Sequence, residues 1–113
     1  MSVPVLATLV PAKYLETAQT TQYTATDCTA IIDLMTVTNV TASSATFSAH
    51  IVASGGSASA ANKIVSSREV LPGESFIAYE MGHTLESGAF MSTSCGTGST
   101  LVIYVSGREV PNS

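Results

Sequence analysis

Residues 45–53 read Ala-Thr-Phe-Ser-Ala-His-Ile-Val-Ala, which sets Phe47, Ala49 and Ile51 on one face and Thr46, Ser48 and His50 on the other. That period of two is the pattern of a half-buried strand, with the Phe47 face turned to the core. Upstream, residues 30–39 carry Ile31, Ile32, Leu34, Met35 and Val37, and Asp33 interrupts the alternation. A bulge at Asp33, or a strand buried on both faces, is expected there. The link 39–44 is short and polar, so these two strands are expected to form a hairpin.

Turn residues divide the rest. Residues 54–59, Ser-Gly-Gly-Ser-Ala-Ser, predict a flexible loop tip. Residues 63–71 predict a strand, and 75–81 a return strand. Between them Pro72-Gly73 suits a type II turn, since proline presets φ at the second position and glycine accepts positive φ at the third. Gly82 and Gly88 bracket a loop holding His83 and Glu86. Residues 89–95 and 100–106 predict a last hairpin through Gly96-Thr97-Gly98-Ser99. Residues 21–25 add a strand, and 4–10 an edge strand or arm. Residues 12–19 lack an amphipathic stripe, and no helix is expected. The sum is seven or eight short strands in a single small antiparallel β-sandwich, jelly-roll or immunoglobulin-like. Residues 1–15 are an extended N-terminal arm or edge strand, and 16–113 the sandwich.

A chain of 113 residues suits one domain. Its apolar share of 45% is largely alanine and valine, with three Phe, four Tyr and no Trp, which predicts a thin core. Charged residues are only 11%, against roughly a quarter in ordinary soluble domains. Serine, threonine and alanine make up roughly two fifths of the chain. So neutral a surface is expected to be either sparsely exposed or covered by partners. A net charge of -4 with four basic residues, Lys13, Lys63, Arg68 and Arg108, speaks against nucleic-acid binding. No run has the length of a membrane helix. The start, Met1 to Leu6, has no basic leader, so the chain is expected to stay where it is made or leave by lysis. Cys28 and Cys95 are accordingly expected as free thiols.

Candidate chemistry is sparse. His50 and His83 are expected as exposed or interface residues rather than catalysts. No Gly-x-Ser-x-Gly elbow strains a serine into a nucleophile, and Gly96-x-Gly98 lacks the third glycine and the helix of a dinucleotide site. Cys28, His50, His83 and Cys95 lie singly on four segments, whereas structural zinc sites present ligands in close pairs. Asp27 and Asp33 have no calcium-loop spacing. Asn39-Val40-Thr41 matches a glycosylation sequon, relevant only in a secreted eukaryotic chain. No catalytic residue, cofactor or metal is expected, and the protein is read as a non-enzyme.

Several segments come in a fixed order: Val37-Thr38-Asn39, Leu71-Pro72-Gly73-Glu74-Ser75-Phe76, Gly82-His83-Thr84-Leu85, Ser87-Gly88-Ala89-Phe90-Met91, and a closing Val105-Ser106-Gly107-Arg108-Glu109. Over residues 30–110 this resembles small β-sandwich structural proteins of tailed bacteriophages. Those look similar in a leader strand ending Val-x-Asn, a Pro-Gly-Glu turn, a Leu-x-x-Gly-Asp-x-Ile element and a closing Val-Ser-Gly-x-Glu. Ala89 stands in place of the Asp and Met91 in place of the Ile. The resemblance implies a virion component made in the bacterial cytoplasm: a capsid decoration or cement protein that binds the outer shell, or a neck or tail accessory piece. Its partners would be a major capsid or other virion protein and further copies of itself, with no nucleic acid and no membrane. A receptor- or sugar-binding module is the alternative. Sugar sites present aromatic platforms, and Tyr14, Tyr23, Tyr79 and Tyr104 are spread over separate segments. The apolar stretch 2–15 either docks on a neighbouring copy or shell protein, or completes its own sheet.

Overall fold

The period-two segments all fold as strands, and their inner faces meet in one core. The computed structural model describes residues 3–112. In chain order the strands are β1 Val5–Tyr14, β2 Thr20–Thr24, β3 Cys28–Asn39, β4 Ala45–Val52, β5 Lys63–Val70, β6 Ser75–Ile77, β7 Thr84–Leu85, β8 Phe90–Cys95 and β9 Leu101–Pro111. One sheet has the order β1-β9-β3-β6, with the short β7 pairing further along β3. The other has the order β2-β8-β4-β5. All pairings are antiparallel. Partners β1·β9, β2·β8, β3·β6 and β4·β5 thus alternate between the two sheets, as when one long hairpin is rolled up. This is the jelly-roll form of the β-sandwich.

Three expected hairpins are overturned. β3 and β4, β5 and β6, and β8 and β9 each lie in different sheets, so their short links are crossings from sheet to sheet. A polar link of five residues closes a hairpin or spans the ~10 Å between packed sheets equally well. What decides is that consecutive apolar faces bury best against each other across the core. The consecutive strands that do pair are β4 and β5, joined by the long segment 53–62. The expected strand 75–81 is shorter than its apolar run: it ends at Ile77 and turns through a 3₁₀ turn, Tyr79–Met81, which drops Met81 into the core. The expected loop 82–88 contributes β7, and β9 continues to Pro111 rather than ending at 106.

Phe47 and Ala49 are buried in the core and Ile51 packs at its margin, on the face expected. The expected bulge also occurs: Ile32 pairs Gly107 and Leu34 pairs Ser106, leaving Asp33 as the extra residue. His50 departs from expectation. It lies on the outer face of β4 yet is only 4% exposed, because segment 53–62 folds back over it and the Asn62 side-chain oxygen meets its Nδ1 at 2.9 Å.

Two positions lock the sheets. Gly107, inside β9, passes so close to β3 that a Cβ there would lie 2.0 Å from the Ile31 carbonyl oxygen. Asn39, fully buried at the end of β3, satisfies its whole amide: Nδ2 donates to the Ser43 and Val70 carbonyls at 2.8 and 2.9 Å, and Oδ1 accepts from Thr41 N–H at 2.9 Å and Thr41 Oγ1 at 2.7 Å. Its backbone carbonyl accepts from Gly73 N–H at 3.1 Å. Gly73 has φ 74°, and Glu74 N–H donates to the Leu71 carbonyl at 3.0 Å, which closes the expected turn. One buried amide therefore holds the β3–β4 and β5–β6 crossings together. Buried in this way, the sequon asparagine is no acceptor for a glycan.

Replacing Asn39 by Ala leaves the buried Val70 carbonyl without its partner, at about 1–3 kcal/mol, and removes three part-buried bonds to Thr41 and Ser43. Chemical denaturation of Asn39→Ala should show a loss of about 3 kcal/mol or more. Gly107→Ala forces two backbones apart and should cost at least the ~1–3 kcal/mol of an overpacked core. A Gly107→Ala variant that melts with the wild type would refute the close approach.

Candidate interaction surface

The two outer faces of the sandwich differ in chemistry. Across β1, β9, β3 and the β6–β7 edge, the cross-strand partners form four rows. They read Leu6–Arg108–Ile31–Thr84, Thr8–Ser106–Leu34, Tyr104–Thr36–Ile77 and Tyr14–Val102–Thr38–Ser75. Leu34 and Tyr104 are 44% and 45% exposed near the centre of this face. The Thr8 and Tyr104 hydroxyls meet at 3.4 Å, and those of Thr38 and Ser75 at 2.9 Å. The charge in these rows is Arg108, and it is compensated on the spot. Its Nε and Nη2 donate to both carboxylate oxygens of Asp33 at 3.0 and 2.9 Å. The bulge at Asp33 is what brings that carboxylate beside the ladder. So exposed a pair adds little stability, but it leaves the face electrically neutral. Beside it lies a shallow hollow of about 360 Å³ lined by Leu6, Ala7, Thr8, Asp33, Ser106 and Gly107.

The opposite face is hydroxyl-rich: Ser48 pairs Ser94, His50 pairs Ser92, and Thr21 pairs Ser92 from the other side. Ser48 Oγ accepts from the Ser67 N–H at 2.9 Å, holding the bulge of β5 where Ser67 has φ 46°. Ser92 Oγ accepts from Gln19 Nε2 at 2.8 Å and donates to the Thr20 carbonyl at 3.2 Å. Ser48 and Ser92 thus spend their hydroxyls on the protein itself.

β1 forms the edge of the apolar face, paired along one side with β9. Lys13 is paired with Glu16 at 2.7 Å. That bond and another from Gln22 hold the Glu16 carboxyl below its ordinary range. Among the described residues, Val5, Leu6 and Tyr14 are large apolar side chains of β1 left exposed.

The four residues weighed as metal ligands are not brought together. Among the described residues no group of three or more His, Cys, Asp or Glu is placed to hold a metal ion. His83 is exposed. Cys28 and Cys95 are buried, unpaired thiols. Cys95 Sγ lies 3.3 and 3.2 Å from the Leu15 and Thr97 carbonyls, which share its single S–H, and burial pushes its thiol up. No helix among the described residues is long and apolar enough to cross a membrane.

One grouping escaped the sequence reading. Tyr23 of β2 donates its hydroxyl to the Glu109 carboxylate of β9, and Cys28 Sγ lies 3.8 Å from the tyrosine hydroxyl oxygen. The bond joins the two sheets at one end of the sandwich. Residues 86 positions apart make it, so no local spacing signals it. The available hint was an acid on the inner side of β9, where an apolar residue is the rule.

Burial first, and the Glu109 carboxylate second, hold the Tyr23 phenol protonated well above its usual range. The unfolded chain releases this proton from about pH 10 upward while the folded state retains it, so stability should fall as pH rises above about 10. Urea midpoints at about pH 9 and pH 11.5 should fall further for the wild type than for Tyr23→Phe. Equal falls would show that Tyr23 ionises freely.

No family model matches the sequence, and neither a curated protein nor a solved structure matches the chain.

Proposed function

We propose that this chain is a structural protein of a tailed-phage virion, a capsid decoration or cement protein that binds the outer shell and reinforces the junctions between shell subunits. The observation that carries the reading is the outer face of the β1-β9-β3-β6 sheet. It is a neutral face in which Leu34, Tyr104 and Ile77 stand exposed among threonines and serines. Covering such a face releases water from apolar side chains and strips no uncompensated charge of its solvent. Tyrosine suits it further, because the ring buries area while the hydroxyl keeps a polar partner.

Two further supports are independent of that face. The jelly roll is a recurrent form among viral structural proteins, although a fold alone never assigns a function. The resemblance is the second support, and two of the segments on which it rests, Val-x-Asn and Pro-Gly-Glu, lie together here at the bond from Gly73 N–H to the Asn39 carbonyl. In this reading the protein is a non-enzymatic plate, made in the host cytoplasm and assembled on the particle together with further copies of itself.

Particles stripped of this protein should bind it back in a co-sedimentation assay. Leu34→Asp and Tyr104→Asp, both at exposed positions, should weaken that binding by more than about tenfold with the melting temperature unchanged. Undiminished binding would remove this face from the interface. Binding to host cells in preference to particles would replace the cement reading with a receptor-binding one.

A further inference from the structure

We infer that the start of β1, residues 5–8, is the contact through which a second copy of this chain joins by antiparallel strand addition about a two-fold axis. The inference deepens the self-association in the reading above, but it does not depend on a shell partner.

The edges of the two sheets are unequally defended. β5 carries Lys63, Arg68 and Glu69 and is bent by register shifts around Ser67. The edge opposite β1 is broken into the three-residue β6 and the two-residue β7. β2 has only five residues and an irregular register. Charges, bulges and short strands are the devices that keep a sheet edge from recruiting another strand. The second half of β1 has them too: register shifts between Thr8 and Val10 and between Val10 and Lys13, with Pro11, which has no N–H, between.

Residues 5–8, at the start of β1, contain none of these devices, and Pro4, which has no N–H, sets the outer limit of this open run. Val5, Leu6, Ala7 and Thr8 pair Glu109, Arg108, Gly107 and Ser106 in unbroken register. Alternate residues of such a strand turn their N–H and C=O groups away from β9 and toward the open edge. The side chains are uncovered as well. Leu6, on the outer face, is 81% exposed, while Val5 and Val3 are more than half exposed. Val5 shares the inner side with Glu109 but lies at the end of the ladder, where the opposite sheet does not cover it. An open edge with apolar side chains exposed along it is matched by an added strand, which supplies hydrogen bonds and side-chain contact together.

Charge selects the occupant. In a two-fold contact each residue meets residues of the same patch, so any net charge faces its like. Antiparallel self-pairing of β5 could set Lys63 against Arg68, or Glu69 against itself. Residues 3–12 contain no charged side chain, so this strand can lie against its own copy without repulsion despite the chain's net charge of -4. The result would be one sheet continuous across two molecules.

Point substitutions test this better than truncation, because Leu9 and Val10 of the same strand are core residues. The full chain should scatter light as a dimer. Leu6→Lys, which brings two ammonium groups toward each other across the axis, should raise the dimer dissociation constant by more than about tenfold with an unchanged circular-dichroism melt. Val5→Lys should do the same, whereas Leu34→Asp should leave the dimer intact. A wild type that stays monomeric up to millimolar concentration would overturn the inference. So would a dimer that survives both lysine variants, or one dissolved by Leu34→Asp. Loss of particle binding in Leu34→Asp with the dimer retained speaks to the shell reading alone.

Discussion

The amide of Asn39 is the joint on which this sandwich depends. Four hydrogen bonds from one buried side chain, and one to its carbonyl, fasten two crossings that run between the sheets at the same end. A crossing must leave the ladder of one sheet before it enters the other, so its own peptide groups lose their strand partners. Buried peptide groups must be paired somewhere. Asn39 supplies partners for groups of the 40–44 link and for the Val70 carbonyl at the end of β5. Asparagine suits the position because it alone among small side chains offers two donors and a two-electron-pair acceptor on one planar group. Below this joint, β3 and β9 run antiparallel from Cys28 opposite Pro111 to Asn39 opposite Leu101, forming the spine of their sheet.

How far the sequence could be read follows from which interactions are local. Strand identity is local: alternation at Phe47, Ala49 and Ile51 reports which side of β4 meets the core. The bulge at Asp33 showed as a break in that alternation, and the turn at Gly73 as a Pro-Gly pair. Pairing is not local. The links after Asn39, Val70 and Cys95 have hairpin length and hairpin composition, and only the need to bury facing sheets sends them across. The burial of His50 depends on where segment 53–62 comes to rest, which nothing near His50 in the chain specifies. The close approach at Gly107 left a partial trace, since a glycine inside a strand marks a bulge or a near backbone. The tyrosine–carboxylate bond between Tyr23 and Glu109 left almost none.

The surface was legible in composition but not in arrangement. A chain with few charges can spread them evenly or segregate them. Here Arg108 is cancelled by Asp33 and Lys13 by Glu16, so the β1-β9-β3-β6 face is neutral through compensation rather than through absence. Of the charges outside these two pairs, Lys63, Arg68 and Glu69 lie on β5, where they also defend an edge, and Asp27, Glu74, Glu80 and Glu86 lie in turns and links. The opposite face uses Ser48 to hold the bulge of β5 and Ser92 to hold the chain at Gln19 and Thr20. The hydroxyl-rich composition therefore has a structural use on one face and leaves a low-charge, partly apolar surface on the other.

The pairing of β1 with β9 bears on how the domain comes into being. The first strand finds its partner only after the last one has been synthesised, and the spine of that sheet likewise waits for β9. Ribosome-bound chains can form the β4–β5 hairpin early, but the apolar strands β1 and β3 stay without their main partner until late. Such long-range closure makes folding slow compared with locally paired domains. It also makes completion all-or-none: a chain cut short before β9 lacks the centre of a sheet and exposes two apolar strands. Incomplete copies would expose apolar strands without partners and would be prone to aggregate.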